Sequence, residues 1–492
     1  MAPYHNCSTP ELAKLQSLAR LQEFLAQPRC EQNFEQFERT LGKCMNQIQA
    51  EVTANELVRY DVDEPVVLIG GQEFRRCLDK EPKRYLSASG PITVERNLFR
   101  AAGKGKTVCP LELRAGLVGD CTPVLARQTS YLMGLMPSAD TAGVFVEMDV
   151  EGPSASTCDR LPKLINPVWE KQREAWEAAL RMQETVPAEA TVLAASLDGV
   201  MVPDKKAQRE AKVAREETQK EGLKPKTGGP AGYREVGCGT VTLYAPAPND
   251  GKEEERKGPH RLSTIRYARA PEVKKKTLTE QLDAEVASIL AVRPDLRLVA
   301  LADGAEENWR YFAGPQWAEA TKIVDFGHAC EHLKSALAAC FGDTVNGRAN
   351  YEMLRLILRD KAGGVDEVIV ALDRLDRKLY REKHSRRRLD LAKERKYFRN
   401  QRDRMDYAGY QALGLPIGSG VVEAACKTLA TERLKQSGMS WGDGKQPILT
   451  IRSLQQSDRW DAGWALIAGA YRTKVELIPQ RRAHLRIVRE AA

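Results

Sequence analysis

Apolar and polar positions follow different rhythms along the chain, and the changes of rhythm divide it. From residue 10 to 58, apolar side chains such as Leu12, Leu15, Leu18, Leu21 and Leu25 fall at helical spacing and predict helices. From Pro65 to about Leu113 the texture turns strand-like. Glu64-Pro-Val-Val-Leu-Ile reads as a strand and Tyr85–Val94 (YLSASGPITV) as a hairpin about a Ser-Gly-Pro turn. Residues 122–185 return to helix. Ser138–Met148 and Ser154–Leu164, parted by Asp-Val-Glu-Gly-Pro, have a helix-turn-helix-like spacing that any two short helices around a glycine turn would share.

The middle of the chain is the most legible. The apolar run Thr191–Leu197 predicts a buried strand that ends in Asp198-Gly199. Residues 204–230, charged and then rich in Gly and Pro, read as a flexible excursion. Strands follow at Glu235–Tyr244 and Ser263–Ala270, then a helix at Thr277–Ala291. The strand Leu296–Ala302 ends in Asp303-Gly304, a helix spans Glu306–Phe312, and a short strand, Thr321–Val324, ends in Asp325. This succession of strand, hairpin partner, third strand, helix, strand, helix and strand is the order of a ribonuclease-H-like sheet. Residues 330–412 are helical in pattern. Leu415–Gly420 (LPIGSG) breaks that pattern, and a new helix carries Glu423 in its first turn. No repeat of fixed period is present.

The expected fold class is therefore an α/β ribonuclease-H-like core with an all-helical insertion, preceded by a mixed α+β region. The expected divisions are a helical region over 1–60, a small β-rich region over 61–120 and a helix-turn-helix-like, DNA-binding domain over 121–188. The core follows in two parts, 189–330 and 415–492, around a basic helical insertion at 331–414.

Composition narrows the possibilities. The 492 residues are 42% hydrophobic, a globular proportion, and suffice for several domains with buried cores. No window approaches 18 uninterrupted apolar residues, so no membrane span is expected. The start, Met-Ala-Pro-Tyr-His-Asn, lacks the charged and apolar regions of a secretory signal. Eleven scattered cysteines with no CxxC pair argue against a disulfide framework and fit a reducing cytoplasm. The net charge of +8 is concentrated: Arg377–Arg404 holds thirteen Lys and Arg against Glu382, Asp390, Glu394 and Asp403. Arg386, Arg387, Arg388, Lys393, Arg395, Lys396 and Arg399 are the candidates for tracking DNA phosphates. A solvated, ion-paired helix face would have the same composition.

Candidate chemistry lies in the carboxylates. Phosphoryl transfer on DNA without a covalent enzyme intermediate uses two divalent cations roughly 3.5–4 Å apart, and magnesium takes oxygen ligands. Asp198 and Asp303 each stand where an apolar run stops, on strands that the expected topology makes neighbours. Glu423 follows the helical insertion. A strand-ending Asp-Gly is also an ordinary turn, and a Glu in a first turn also suits the helix dipole. His328 and His332, four apart with Glu331 between them, have a zinc-compatible spacing. They lack the HExxH pattern and an obvious third ligand, so no zinc is expected and local hydrogen bonding is the alternative. No P-loop or dinucleotide-binding fingerprint is present.

The blocks SLDGVMVP (Ser196–Pro203), GCGT (Gly237–Thr240), LADGA (Leu301–Ala305), Asn308-Trp309, DFGHACEHL (Asp325–Leu333), IGSGVVEAACK (Ile417–Lys427), Arg433–Lys435 with Ser437–Met439 and Trp441, and SDRW (Ser457–Trp460) occur together and in this order. From about residue 190 onward the chain resembles the bacterial insertion-sequence transposases of the ISKra type, relatives of the Mutator-like group. The resemblance implies a DDE transposase, with Asp198, Asp303 and Glu423 as catalytic and Mg²⁺-binding residues and Mn²⁺ as a possible substitute. It implies that Asp325-x-x-His328 is the Asp/Cys-x-x-His motif of that group, acting in support. It also implies double-stranded DNA as partner and a homodimer in the transposition complex. Before residue 190 the likeness is looser, and of the Cys-pair knuckle often present in relatives only Cys109 remains. The alternatives are a ribonuclease-H-like nuclease that does not join strands, and a DNA-binding protein with an inactive core.

Overall fold

The computed structural model describes residues 16–26, 33–102, 105–221, 231–247 and 258–478. Leu12, Leu15 and the Gly/Pro-rich residues 222–230 lie outside them. The described residues form a mixed α/β structure with two five-stranded sheets and fall into two compact units, within 1–176 with 460–492, and within 177–459.

The first unit opens with helices α1 (Gln16–Ala26) and α2 (Phe34–Val58). Asn33 caps α2 by accepting the Gln36 amide at 2.8 Å, the usual satisfaction of a first-turn donor. Strands β1 (Val66–Ile69), β2 (Gln72–Ser87), β3 (Gly90–Ala101) and β4 (Thr107–Val108) follow. The β2–β3 hairpin turns on Ala88-Ser89, with Ser87 opposite Gly90, just before the expected Ser-Gly-Pro. Helices α3 (Pro110–Ala115), α4 (Pro123–Leu135), α5 (Ser138–Glu147) and α6 (Ala155–Arg181) come next. The second helix of the expected helix-turn-helix is thus 27 residues long. A final strand, Val475–Leu477, pairs antiparallel with β1. Of the expected second core part, 415–492, the described residues 460–478 group with the first unit, where that strand pairs with β1.

In the second unit, strands β5 (Val192–Pro203), β6 (Tyr233–Ala245), β7 (His260–Arg269), β8 (Arg297–Ala302) and β9 (Thr321–Val324) lie in the order β7-β6-β5-β8-β9. The first three form an antiparallel meander, while β8 and β9 join β5 in parallel. Strand β5 does not stop at Asp198. Asp198 pairs with Cys238, and the antiparallel ladder continues to Pro203 opposite Tyr233. The expected excursion after it is also corrected: Lys205–Glu221 is a helix, α7. Its Ala, Glu, Lys, Arg and Gln are strong helix formers, and Asp204 accepts the Ala207 amide at 2.8 Å. Charge there signals a solvated helix, not a loop.

Helices α8 (Lys276–Val292) and α9 (Glu306–Tyr311) make the crossovers. Glycines of the GCGT block let α8 approach β6: a Cβ on Gly239 would stand 2.9 Å from Leu282 Cδ1. After β9 the chain is helical through α10 (Phe326–Phe341), α11 (Val345–Asp360), α12 (Gly364–Arg381), α13 (Ser385–Gln401) and α14 (Tyr407–Ala412). These helices share the sheet's apolar core through Leu333, Leu372, Leu391, Phe398 and Tyr407, and the Tyr407 hydroxyl donates to the Val324 carbonyl at 3.0 Å. Then come α15 (Gly420–Ala425), a π-helical stretch over Cys426–Thr431, α16 (Glu432–Leu434) and α17 (Lys445–Gln456). The SDRW block ends this unit with Arg459, buried between Glu285 at 2.7 Å and Glu184 at 2.5 Å. No helix of the described residues is long and apolar enough to cross a membrane.

Candidate active site

Register assembles the acidic residues. The parallel ladder of β5 and β8 ends with Leu197 opposite Ala302, and that of β8 and β9 with Ala302 opposite Val324. Asp198, Asp303 and Asp325 are each the next residue. Three aspartates therefore line the carboxyl edge of three adjacent parallel strands, where side chains in register leave the sheet together.

Their surroundings differ. Asp198 is half-buried and accepts the Gly199 amide at 2.7 Å and the Cys426 thiol at 3.5 Å. Burial, joined by the Asp303 charge, pushes its carboxyl above the ordinary range, against those two hydrogen bonds and Lys275. The Cys426 thiol, hydrogen-bonded to Cys238 and buried, is itself pushed far up, so it remains protonated and a donor. Asp303 spends Oδ1 on two donors, the Ala305 amide at 3.0 Å and Asn308 Nδ2 at 2.9 Å. Asp325 is fully buried and occupied: Oδ1 accepts the His328 amide at 2.5 Å, and Oδ2 accepts the Ser419 amide. Its side chain caps α10 and ties that helix to the loop before α15.

That loop carries the third acid. Ser419 Oγ donates to Glu423 Oε1 at 3.0 Å. Cys426, three residues beyond Glu423, touches Asp198. Glu423 is thus joined to the aspartate edge from both sides, through Ser419 to Asp325 and through Cys426 to Asp198, and it is exposed. Among the described residues no three acidic, His or Cys side chains are drawn into a ready-made cation cage. The donor set nevertheless fits a hard divalent cation. Asp198 and Asp303 offer the carboxylate oxygens such an ion takes, and the Asp303 charge adds to the cost of ionising Asp198, a cost that a cation between them would lower.

The histidines are arranged differently from each other. His328 is 40% exposed, with Nδ1 3.8 Å from Glu331. His332 Nδ1 lies 2.6 Å from Glu394 Oε2, and its ring stacks on Tyr397 with centroids 3.6 Å apart. Tyr397, Glu394, Ser419, Cys426 and Asn308 are site residues that sequence reasoning missed. Asn308, Ser419 and Cys426 stand inside the shared sequence blocks, which was the available signal. Tyr397 and Glu394 lie in the basic stripe and gave none.

The stripe divides in two. Arg388 pairs with Asp376 at 3.0 Å, Arg395 with Asp373 at 2.5 Å and Asp376 at 2.9 Å, and Arg399 with Asp373 at 2.7 Å. The acids of α12 thus hold three of the seven candidate phosphate contacts, as the ion-paired alternative requires. Arg386, Arg387, Lys393 and Lys396 are exposed. Comparison with protein-family models finds no match, and neither does a search of curated protein sequences.

Proposed function

We propose that the second unit is a ribonuclease-H-like core and that the protein is a DDE transposase. In this reading it cuts DNA at the terminal inverted repeats of an insertion sequence and transfers the freed strand. The observation that carries the reading is the register of β5, β8 and β9, with Asp198 and Asp303 side by side and the Glu423 segment linked to the ends of β5 and β9 through Cys426–Asp198 and Ser419–Asp325. Strand order and direction, an antiparallel meander followed by two parallel additions, support the fold assignment.

Asp198 and Asp303, with Glu423 completing the set, hold magnesium, or manganese in its place. When bound, the ions supply the positive charge that activates an attacking oxygen and steadies the leaving one. The chain's own residues prepare that site. Asn308 and the Ala305 amide fix Asp303, while the Cys426 thiol and Gly199 amide fix Asp198. Asp325 is fully buried and uses its two oxygens to cap α10 and to hold the Ser419 amide before the Glu423 helix, so its role is support. His328, half-buried in the first turn of α10, acts in support by positioning the flanking DNA strand or a carboxylate. Arg386, Arg387, Lys393 and Lys396 grip phosphates of double-stranded DNA without reading sequence. The N-terminal helices read the repeats, the active complex is a homodimer, and the protein works in the bacterial cytoplasm at the nucleoid.

The test uses duplexes from the sequences flanking the gene, which should contain imperfect inverted repeats. Asp198→Asn, Asp303→Asn and Glu423→Gln should each abolish cleavage and joining while leaving DNA binding nearly intact. They remove cation ligands and not phosphate contacts. Full activity in any one variant removes that residue from the triad. Cleavage without joined product favours a nuclease.

A further inference from the structure

Helix α13 brings to this edge a tyrosine that the reading above does not use. One face of the Tyr397 ring is stacked on His332 at 3.6 Å and 19°, and His332 is fixed by Glu394 at 2.6 Å. The ring also rests on the Asp303-Gly304 turn. A Cβ on Gly304 would stand 2.1 Å from Tyr397 Cε2, so only glycine admits this approach. Gln401 closes the contact by donating to the Gly304 carbonyl at 3.2 Å. The Tyr397 hydroxyl is buried and has no hydrogen-bond partner among the described residues. Burial first, then the charges of Asp303 and Asp325, hold the phenol un-ionised. Buried hydroxyls nearly always have a partner. This one is a rigid, protonated donor beside a carboxylate that spends only Oδ1 on its donors.

We propose that Tyr397 is a positioning residue for Asp303, its hydroxyl donating to Oδ2 when a divalent cation draws the carboxylates together. The inference rests on the divalent-cation reading of the site. Carboxylate ligands are ordinarily held by hydrogen bonds from a surrounding shell, and removing such a partner costs about 10–100-fold in metal affinity or activity. The helical insertion is then part of the cation site as well as a surface for DNA.

The experiment is Mn²⁺ titration of the full chain, with free Mn²⁺ read by electron paramagnetic resonance, for wild type, Tyr397→Phe and Asp303→Asn. Tyr397→Phe should bind Mn²⁺ about 10–100-fold more weakly with an unchanged thermal midpoint. In wild type labelled with ¹³C at the tyrosine ζ-carbon, one resonance should shift on adding Mg²⁺, and it should be missing from Tyr397→Phe. Wild-type affinity in Tyr397→Phe, with binding lost in Asp303→Asn, overturns the role of Tyr397 and leaves the cation reading standing. No Mn²⁺ bound by wild type overturns both. The labelled wild type decides even where the variant folds poorly: if no tyrosine resonance responds to Mg²⁺ at concentrations where Mn²⁺ binds, the inference is wrong.

Discussion

Gly304→Ala tests the geometry of this edge first through stability, which depends on no assigned activity. The added Cβ would lie 2.1 Å from Tyr397 Cε2 and 3.1 Å from Cδ2 and Cζ, whereas carbon atoms normally rest about 3.5–4.0 Å apart. Roughly 1.5 Å must therefore be found. The ring has no slack to give, because His332 is stacked on it at 3.6 Å and is tied to Glu394. The turn must move, or the stack must break. Overpacking of this kind costs about 1–3 kcal/mol. Urea unfolding followed by tryptophan fluorescence measures that cost, and a double-mutant cycle locates it. Tyr397→Ala alone should lose about 3–5 kcal/mol, as for other large aromatic truncations. With both changes the new methyl enters vacated space, so the combined loss should fall short of the sum by about 0.5–3 kcal/mol. Tyr397→Phe should give no relief, because the clash is with the ring and not the hydroxyl. Strand cleavage should drop on the order of 10²-fold in Gly304→Ala, the typical effect of displacing a catalytic group by about 1 Å. A neutral Gly304→Ala, or strictly additive losses, would refute the packing described here.

The basic stripe should behave as two populations. Arg386→Ala with Arg387→Ala should lower the salt slope of binding to any duplex by about 1.8, at about 0.9 per phosphate contact, whereas adding Arg388→Ala should leave the slope unchanged and reduce stability. An unchanged slope in the double variant returns the segment to an ion-paired helix face. Lys445 and Asp204, only 7% and 10% exposed, form a buried ion pair. Lys445→Met should cost about 3–5 kcal/mol at neutral pH by leaving a buried charge alone. Burial pushes Asp204 up, but Lys445 and the Ala207 amide outweigh it and hold the carboxyl below its ordinary range. The pair's contribution is therefore present above about pH 3.9, the unfolded value, and is lost as the pH falls through the folded one. The difference between wild type and Lys445→Met should shrink on acidification, and thermal melts between pH 3 and 7 check this; a constant difference refutes it. Elemental analysis should find no stoichiometric zinc, and His328→Ala should retain slow cleavage. Bound zinc lost from His328→Ala or His332→Ala would reverse that assignment.

Much of the second unit was legible because β5, β8 and β9 carry short apolar runs set off by polar or glycine-containing breaks. The same pattern misled at two points. Asp198 looked like the end of a strand because apolarity stops there. It is the end only on the β8 side; β6 continues to pair for five more residues, to Pro203. Lys205–Glu221 looked like a loop because it is charged, although its residues are helix formers in a helix exposed along much of its length. The aspartate edge was legible as three run-ends, but their alignment was not. Register depends on hydrogen bonding across the sheet, which spacing along the chain does not encode. Tyr397 was illegible for the same reason. Its meaning lies in contact with Gly304, 93 residues earlier, while its local sequence is that of any basic helix.

That contact changes what the insertion is. Each side of α13 is committed. Leu391 and Phe398 enter the shared core, Glu394 and Tyr397 hold His332 and the Asp303 turn, Arg388, Arg395 and Arg399 answer the acids of α12, and Arg386, Arg387, Lys393 and Lys396 are left to solvent. A module merely inserted into a finished core could be removed and leave a working sheet behind. Here its removal would uncover Val324, free the carbonyl bound by Tyr407, and take away the ring against which Gly304 is packed. The basic charge that first singled out this segment is therefore only its outward face. What the segment does inwardly is set by a tyrosine, a glutamate and two core residues, and it bears on the carboxylates more directly than the charge does.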